Sequence, residues 1–221
     1  MKKIISLTIA ILFLGSASLF AEIKVLKVKG TVAYKTGRSW SPLSAGMDLP
    51  EGVKVSTGAN SSAVLRLNSL NHTITIRPYT VIQVFSRTDS KKSDTNVGLK
   101  RGNIVVKVPK NKKVKTVFKV TTPIATSSVR GTAEDIFYGH RAGMIVRVLE
   151  GEIEGMNSLG RKKYLKGRQV FRQKKGESAP WFILADVRKD AIPRFDDADT
   201  TPLDNKTGED AKVGIGIIWN N

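Results

Sequence analysis

Apolar residues recur at every second position over short stretches of this chain, and no stretch holds the three-to-four spacing of an amphipathic helix. Ile23, Val25 and Val28 alternate with Lys24, Lys27 and Lys29, so one face is apolar and the other basic. The same period marks strands near residues 53–55, 63–67, 73–76, 81–85, 102–108, 114–121, 134–137, 144–149 and 169–172. Gly, Pro, Asn and Ser cluster between these runs, the residues that turns require. Many short strands at near-regular spacing predict an all-β single domain: a sandwich, a barrel or a coil of strands.

Two stretches break the rhythm. Ser86 to Val97 has no apolar period and predicts an exposed hairpin tip. Pro109 to Lys115 reads PKNKKVK and separates one strand from the next with four lysines. Beyond Ala185 the composition shifts to Asp, Thr, Pro and Lys, too polar to bury a core, so 186–212 reads as a polar linker. Val213 to Trp219 is apolar again, and 213–221 is expected to dock as a terminal strand on a sheet edge. The body of the domain is then 22–185.

The densest stretch is FKVTTPIATSSVRGTAEDI, Phe118 to Ile136. Phe118 and Val120 alternate with Lys119 and Thr121, and Pro123, lacking an N–H, stops that strand. Thr122-Pro123 followed by Ala125, then Val129-Arg130-Gly131-Thr132, resembles the signature of the FecR domain. Further blocks follow that family's order: Gly30-Thr31-Val32, Gly52 to Gly58, Ala63 to Leu67, Ile76 to Thr80, Leu99 to Ile104, Val148 to Ile153 and Leu165 to Val170. The resemblance covers roughly 23–177. It implies a twisted, solenoid-like or sandwich-like all-β fold, and gives Thr122, Pro123, Gly131 and Thr132 a structural role as the motif.

Composition adds a compartment and a field. Lys2 and Lys3, an apolar run from Ile4 to Leu14 and small residues up to Ala21 form a secretory signal peptide, 1–21. No cysteine follows it, so a lipid anchor, disulfides and thiol chemistry are all excluded. The expected location is the periplasm. The formal net charge is +18. With Lys2 and Lys3 set aside, and eight acidic against five basic residues from Asp186 onward, the body carries +19. Such a field favours anionic partners. For an exported protein that means anionic cell-wall or membrane components or an acidic envelope protein, and no nucleic acid.

Catalytic constellations do not assemble in the sequence. The two histidines, His72 and His140, sit in expected turns without carboxylates at ligand spacing. Glu134 and Asp135 are adjacent and should point to opposite faces of a strand. Glu150, Glu152 and Glu154 share a face at period two and read as a solvated edge. No enzyme activity and no cofactor are expected. Candidate binding residues are Lys110, Lys112, Lys113 and Lys115, with Arg130 either an anion contact or a structural pairing. Regulators of this family carry a cytoplasmic sigma-factor-binding segment that this sequence does not show before its apolar run. The leading expectation is a non-enzymatic binding or scaffold module at the cell envelope. The alternatives are a periplasmic relay in cell-surface signalling that contacts a membrane regulator or receptor, and an envelope enzyme.

Overall fold

The computed structural model describes residues 23–67, 70–88, 90–129, 131–176 and 182–184. The expected signal peptide, polar linker and terminal strand lie outside the described residues. Those described form seventeen strands and no helix, the all-β domain that the period-two pattern and the family resemblance predicted.

The strands are β1 (Ile23–Lys29), β2 (Val32–Lys35), β3 (Ser41–Pro42), β4 (Asp48–Leu49), β5 (Val53–Thr57), β6 (Ser62–Leu67), β7 (His72–Ile76), β8 (Val81–Thr88) and β9 (Lys92–Val108). Then follow β10 (Lys115–Thr121), β11 (Ala125–Val129), β12 (Thr132–Gly139), β13 (Gly143–Glu150), β14 (Glu152–Asn157), β15 (Lys162–Lys166), β16 (Val170–Gln173) and β17 (Phe182–Leu184). They build two facing sheets. Sheet I runs β4–β1–β6–β7–β9–β12–β13–β16–β17. Sheet II runs β3–β2–β5–β8–β9–β10–β11–β14–β15. All pairings are antiparallel except β9 with β10.

Strand β9 belongs to both sheets. Its first half pairs β8 and β10 in sheet II, and its second half pairs β7 and β12 in sheet I. The buried set changes parity on the way: Ser93, Thr95, Val97 and Leu99 face inward, then Ile104, Val106 and Val108. The shift happens at Gly102, φ +96°, where an added Cβ would sit 2.5 Å from Thr80 Cα. Only a residue without a side chain fits that close approach.

The register fixes where the chain passes between sheets. Before β9, the crossings β1→β2, β5→β6 and β7→β8, and the bend at Gly102, share one edge, since Lys29 pairs Ser62, Ala63 pairs Ile76 and Ile76 pairs Ile104. After β9, the crossings β11→β12, β13→β14 and β15→β16 share the opposite edge, since Thr132 pairs Val108, Ala133 pairs Glu150 and Arg147 pairs Val170. Every one of these crossings holds a left-handed residue: Gly30, Asn60, Tyr79, Gly102, Gly131, Gly151 or Arg168. Side-chain hydroxyls tie several of them together. Ser61 Oγ accepts from Thr31 N at 2.8 Å, Thr57 Oγ1 from Thr80 N at 3.0 Å, and Thr80 Oγ1 from Asn103 N at 2.9 Å. Thr132 Oγ1 donates to Glu152 O at 2.8 Å.

One apolar core fills the space between the sheets, with Leu65, Ile74, Ile82, Leu99, Ile104, Phe118 and Ile136 fully buried. Polar groups bridge it as well. The His72 ring meets Phe118 edge-on at 5.7 Å, and Ser127 Oγ donates to Glu134 Oε2 at 2.7 Å.

Three local expectations are corrected. His72 is not in a turn: it is the first residue of β7 and is buried. The stretch from Ser86 to Val97 is not an exposed tip but largely the β8–β9 pairing. Its buried positions before Val97 are hydroxyls rather than hydrocarbons. Ser86 and Thr95 bond at 3.0 Å and Thr88 and Ser93 at 3.1 Å, so the period is present but not in apolar residues. Glu150 does not continue the face of Glu152 and Glu154, because Gly151, φ +82°, turns the chain from β13 into β14 between them.

Candidate functional site

The site begins where β9 ends. Pro109 has no N–H to extend the sheet ladder beyond Val108, so the chain leaves the sheet. Residues 109–114 then cross to β10, which starts beside the beginning of β9: Lys115 pairs Lys92 in parallel, and Lys115 N donates to Lys91 O at 3.0 Å. The crossing is held by Asn111, whose Oδ1 accepts from Lys113 N at 2.8 Å and Val114 N at 3.0 Å. This is the turn that asparagine makes with its own following backbone.

A groove of about 990 Å³ opens along this crossing. Its walls carry Lys91, Lys110, Lys112, Lys113, Lys115 and Lys166, and among the described residues the lining contains one acid, Glu152. Gly131 and Gly151, on consecutive crossings of the second edge, also line it. The stem of Lys110 lies over Gly131 where a Cβ would be, and a Cβ on Gly151 would come within 2.8 Å of Gly131 O. Opposite the loop, Lys166 Nζ pairs with Glu152 Oε1 at 3.3 Å, both side chains being well exposed. Exposed pairs of this kind hold little energy, so Glu152 places Lys166 on the wall without fixing it there.

Lys110, Lys112, Lys113 and Lys115 all line this groove. Arg130 lies outside the described residues. Thr122 closes the β10–β11 hairpin: its N and Oγ1 both donate to Ala125 O, at 2.8 and 2.9 Å, with Pro123 inside that turn. Gly131, φ +65°, and the buried Thr132 make the crossing from sheet II to sheet I. Lys91, Lys166 and Glu152 were not anticipated as site residues. They arrive from two separate hairpins, and only the strand register brings them beside the loop.

Two acidic residues elsewhere are buried and differ in character. Asp135 is an ion-pair centre: Asn103 Nδ2 donates to it at 2.7 Å, Arg147 bonds its other oxygen, and Arg77 lies 3.9 Å away. Glu134 points into the core, as the opposite-face argument predicted for neighbours on a strand. Burial there pushes its carboxyl up to about 8, against the Ser127 hydrogen bond, with the nearby Asp135 charge adding to the rise. Burial likewise holds the His72 imidazole down at about 4. Glu154 is an ordinary surface acid, its carboxyl lowered by the Tyr164 hydroxyl and by Lys162. Among the described residues no three His, Cys, Asp or Glu side chains come together as metal ligands.

Two sheets wound by one chain, with left-handed residues at crossings on both edges, define the class of fold as an all-β coil. Residues 53–154, from β5 into β14, match the family described as FecR protein. Two crystal structures of a candidate anti-sigma factor from Parabacteroides distasonis ATCC 8503, at 1.65 and 2.50 Å resolution, share the fold. Each has a TM-score of 0.50 and 16% identity, over 60% of this chain and 59% of that one. The alignment thus spans about three fifths of either protein, and at that identity the likeness is one of fold. No curated protein matches the chain.

Proposed function

We propose that this protein is a non-catalytic envelope module acting as a relay in cell-surface signalling, contacting a membrane regulator or receptor. The match of residues 53–154 to the FecR family carries this reading, and the fold shared with a candidate anti-sigma factor supports it. The module works in the periplasm after removal of residues 1–21. Crosslinking in intact cells, followed by mass spectrometry of the captured partners, tests the reading. The expected result is a membrane regulator or receptor crosslinked to a mature chain beginning at Glu22. Capture of cytoplasmic proteins alone, or a chain retaining its first 21 residues in the membrane, would count against it.

A second reading is favoured by the lysine groove: a scaffold whose basic surface meets an anionic wall or membrane component or an acidic protein. Its binding would be electrostatic, and exposed charges are screened over about 8 Å at physiological ionic strength. Association with envelope extracts should therefore fall steeply as salt is raised. Association that is indifferent to salt would reduce the charge to a matter of solubility.

A further inference from the structure

We propose that the groove at the β9–β10 crossing is a site for a soluble, linear anion that carries phosphate groups in succession. The proposal rests on the second reading above and names the chemistry of its ligand. Six lysines against one glutamate set the sign of that ligand. The type of cation narrows it further. Arginine's planar fork would grip carboxylate or phosphate through paired hydrogen bonds, whereas the lysine ammonium is a compact point charge without that planar demand, and lysine sites bind phosphate in this way. The described cations of the groove are all lysine.

The rest of the lining points the same way. Among the described residues it contains no aromatic side chain, and Pro109 and Val114 are its large apolar residues. A base or a sugar ring would find no stacking platform, so the ligand is held through its charges. The groove is concave and offers little hydrocarbon, which does not fit the flat, apolar-backed surface of a membrane. Gly131 and Gly151 add backbone to the lining, Gly131 beneath the stem of Lys110. The loop that supplies most of the lysines is already set by Asn111, so little ordering is needed on binding. Finally, six ammonium groups around about 990 Å³ exceed what one phosphate can engage, and call for several on one chain.

The test uses the full mature chain, with orthophosphate, tripolyphosphate and a longer inorganic polyphosphate as probes in calorimetry at low salt. Affinity should rise from orthophosphate to tripolyphosphate to polyphosphate. A variant with Lys110→Gln, Lys112→Gln, Lys113→Gln and Lys115→Gln should bind tripolyphosphate about tenfold more weakly or worse, as expected when several phosphate contacts are removed. A charge-matched control, with glutamine at Lys27, Lys35, Lys54 and Lys100, should bind almost as the wild type does. Both variants should melt as the wild type does, since these lysines lie outside the core. Equal loss in the control would overturn the proposal, because net charge alone would then explain binding. Poly-L-glutamate bound as tightly as polyphosphate, or phosphatidylglycerol vesicles bound while tripolyphosphate is not, would overturn it too but leave the basic-surface reading standing. Absence of binding to every anion would remove both.

Discussion

Glu134 sits wholly inside the core with one carboxylate oxygen bonded to Ser127 and the other without a hydrogen-bond partner. A charge there would be expensive, so the group keeps its proton to about 8, against 4.5 for an ordinary glutamate. The consequence for stability has a definite sign. The unfolded chain releases this proton above 4.5 while the folded chain holds it to about 8. The contribution is therefore full below 4.5 and is lost as pH rises towards 8. Within that window one proton is worth up to about 1.4 kcal/mol per pH unit. Glu134→Gln keeps the shape and removes the titration. Chemical denaturation at pH 5, 6.5 and 8 should show the variant gaining on the wild type at each step; a constant difference would mean that the carboxyl is already ionised when folded.

Two left-handed glycines should respond differently to alanine. At Gly102 the new Cβ meets the backbone of Thr80, which cannot move away, whereas at Gly131 it meets only the side chain of Lys110, which can. Both incur the strain of a positive φ, about 1–3 kcal/mol. Gly102→Ala should cost more than that through the added clash, and Gly131→Ala should stay within it. Denaturation midpoints of the two variants settle the order.

At the scale of elements, the sheets were legible wherever the buried face is hydrocarbon. The alternation in β5, β6, β7 and β10 appears in the sequence as Val, Leu, Ile and Phe against Lys, Arg and Thr, and those positions are buried as expected. The pattern went unseen where the inward side chains are hydroxyls. Ser127 in β11 and Ser93 and Thr95 in β9 are fully buried, and Ser86 in β8 nearly so, yet each reads as a loop residue. The lysine cluster was visible because its members are contiguous. Lys91 and Lys166 were not, because their place beside it depends on the parallel β9–β10 register and on the β14–β15 pairing.

The hydroxyl pairs should behave as coupled units. Ser86→Ala or Thr95→Val alone strands a buried hydroxyl, at about 1–3 kcal/mol. The double replacement removes both and should cost less than the two single changes together. A double-mutant cycle by denaturation measures this, and simple additivity would show that the 3.0 Å contact contributes nothing.

On the scale of the whole molecule, β9 joins the two halves of the coil. The crossings β1→β2, β5→β6 and β7→β8 before it use one edge, β11→β12, β13→β14 and β15→β16 after it use the other, and β9 takes part in both sheets. Each half thus lacks its own complete boundary. The first half has β9 as its last strand in both sheets, and the second half needs β9 to pair β10 in one sheet and β12 in the other.

A single cut in the loop after β9 shows what this means for the chain as a polymer. A specific protease site placed between Lys112 and Lys113 would divide the backbone in a segment that contributes no strand. Seven paired positions between β9 and β10, and seven more between β9 and β12, would still span the break. The two pieces should therefore elute together at the size of the intact protein and separate only in denaturant, so that covalent continuity at this point is dispensable once the molecule has folded. Pieces that part in native buffer would mean that the halves are held by their connection and not by their shared strand.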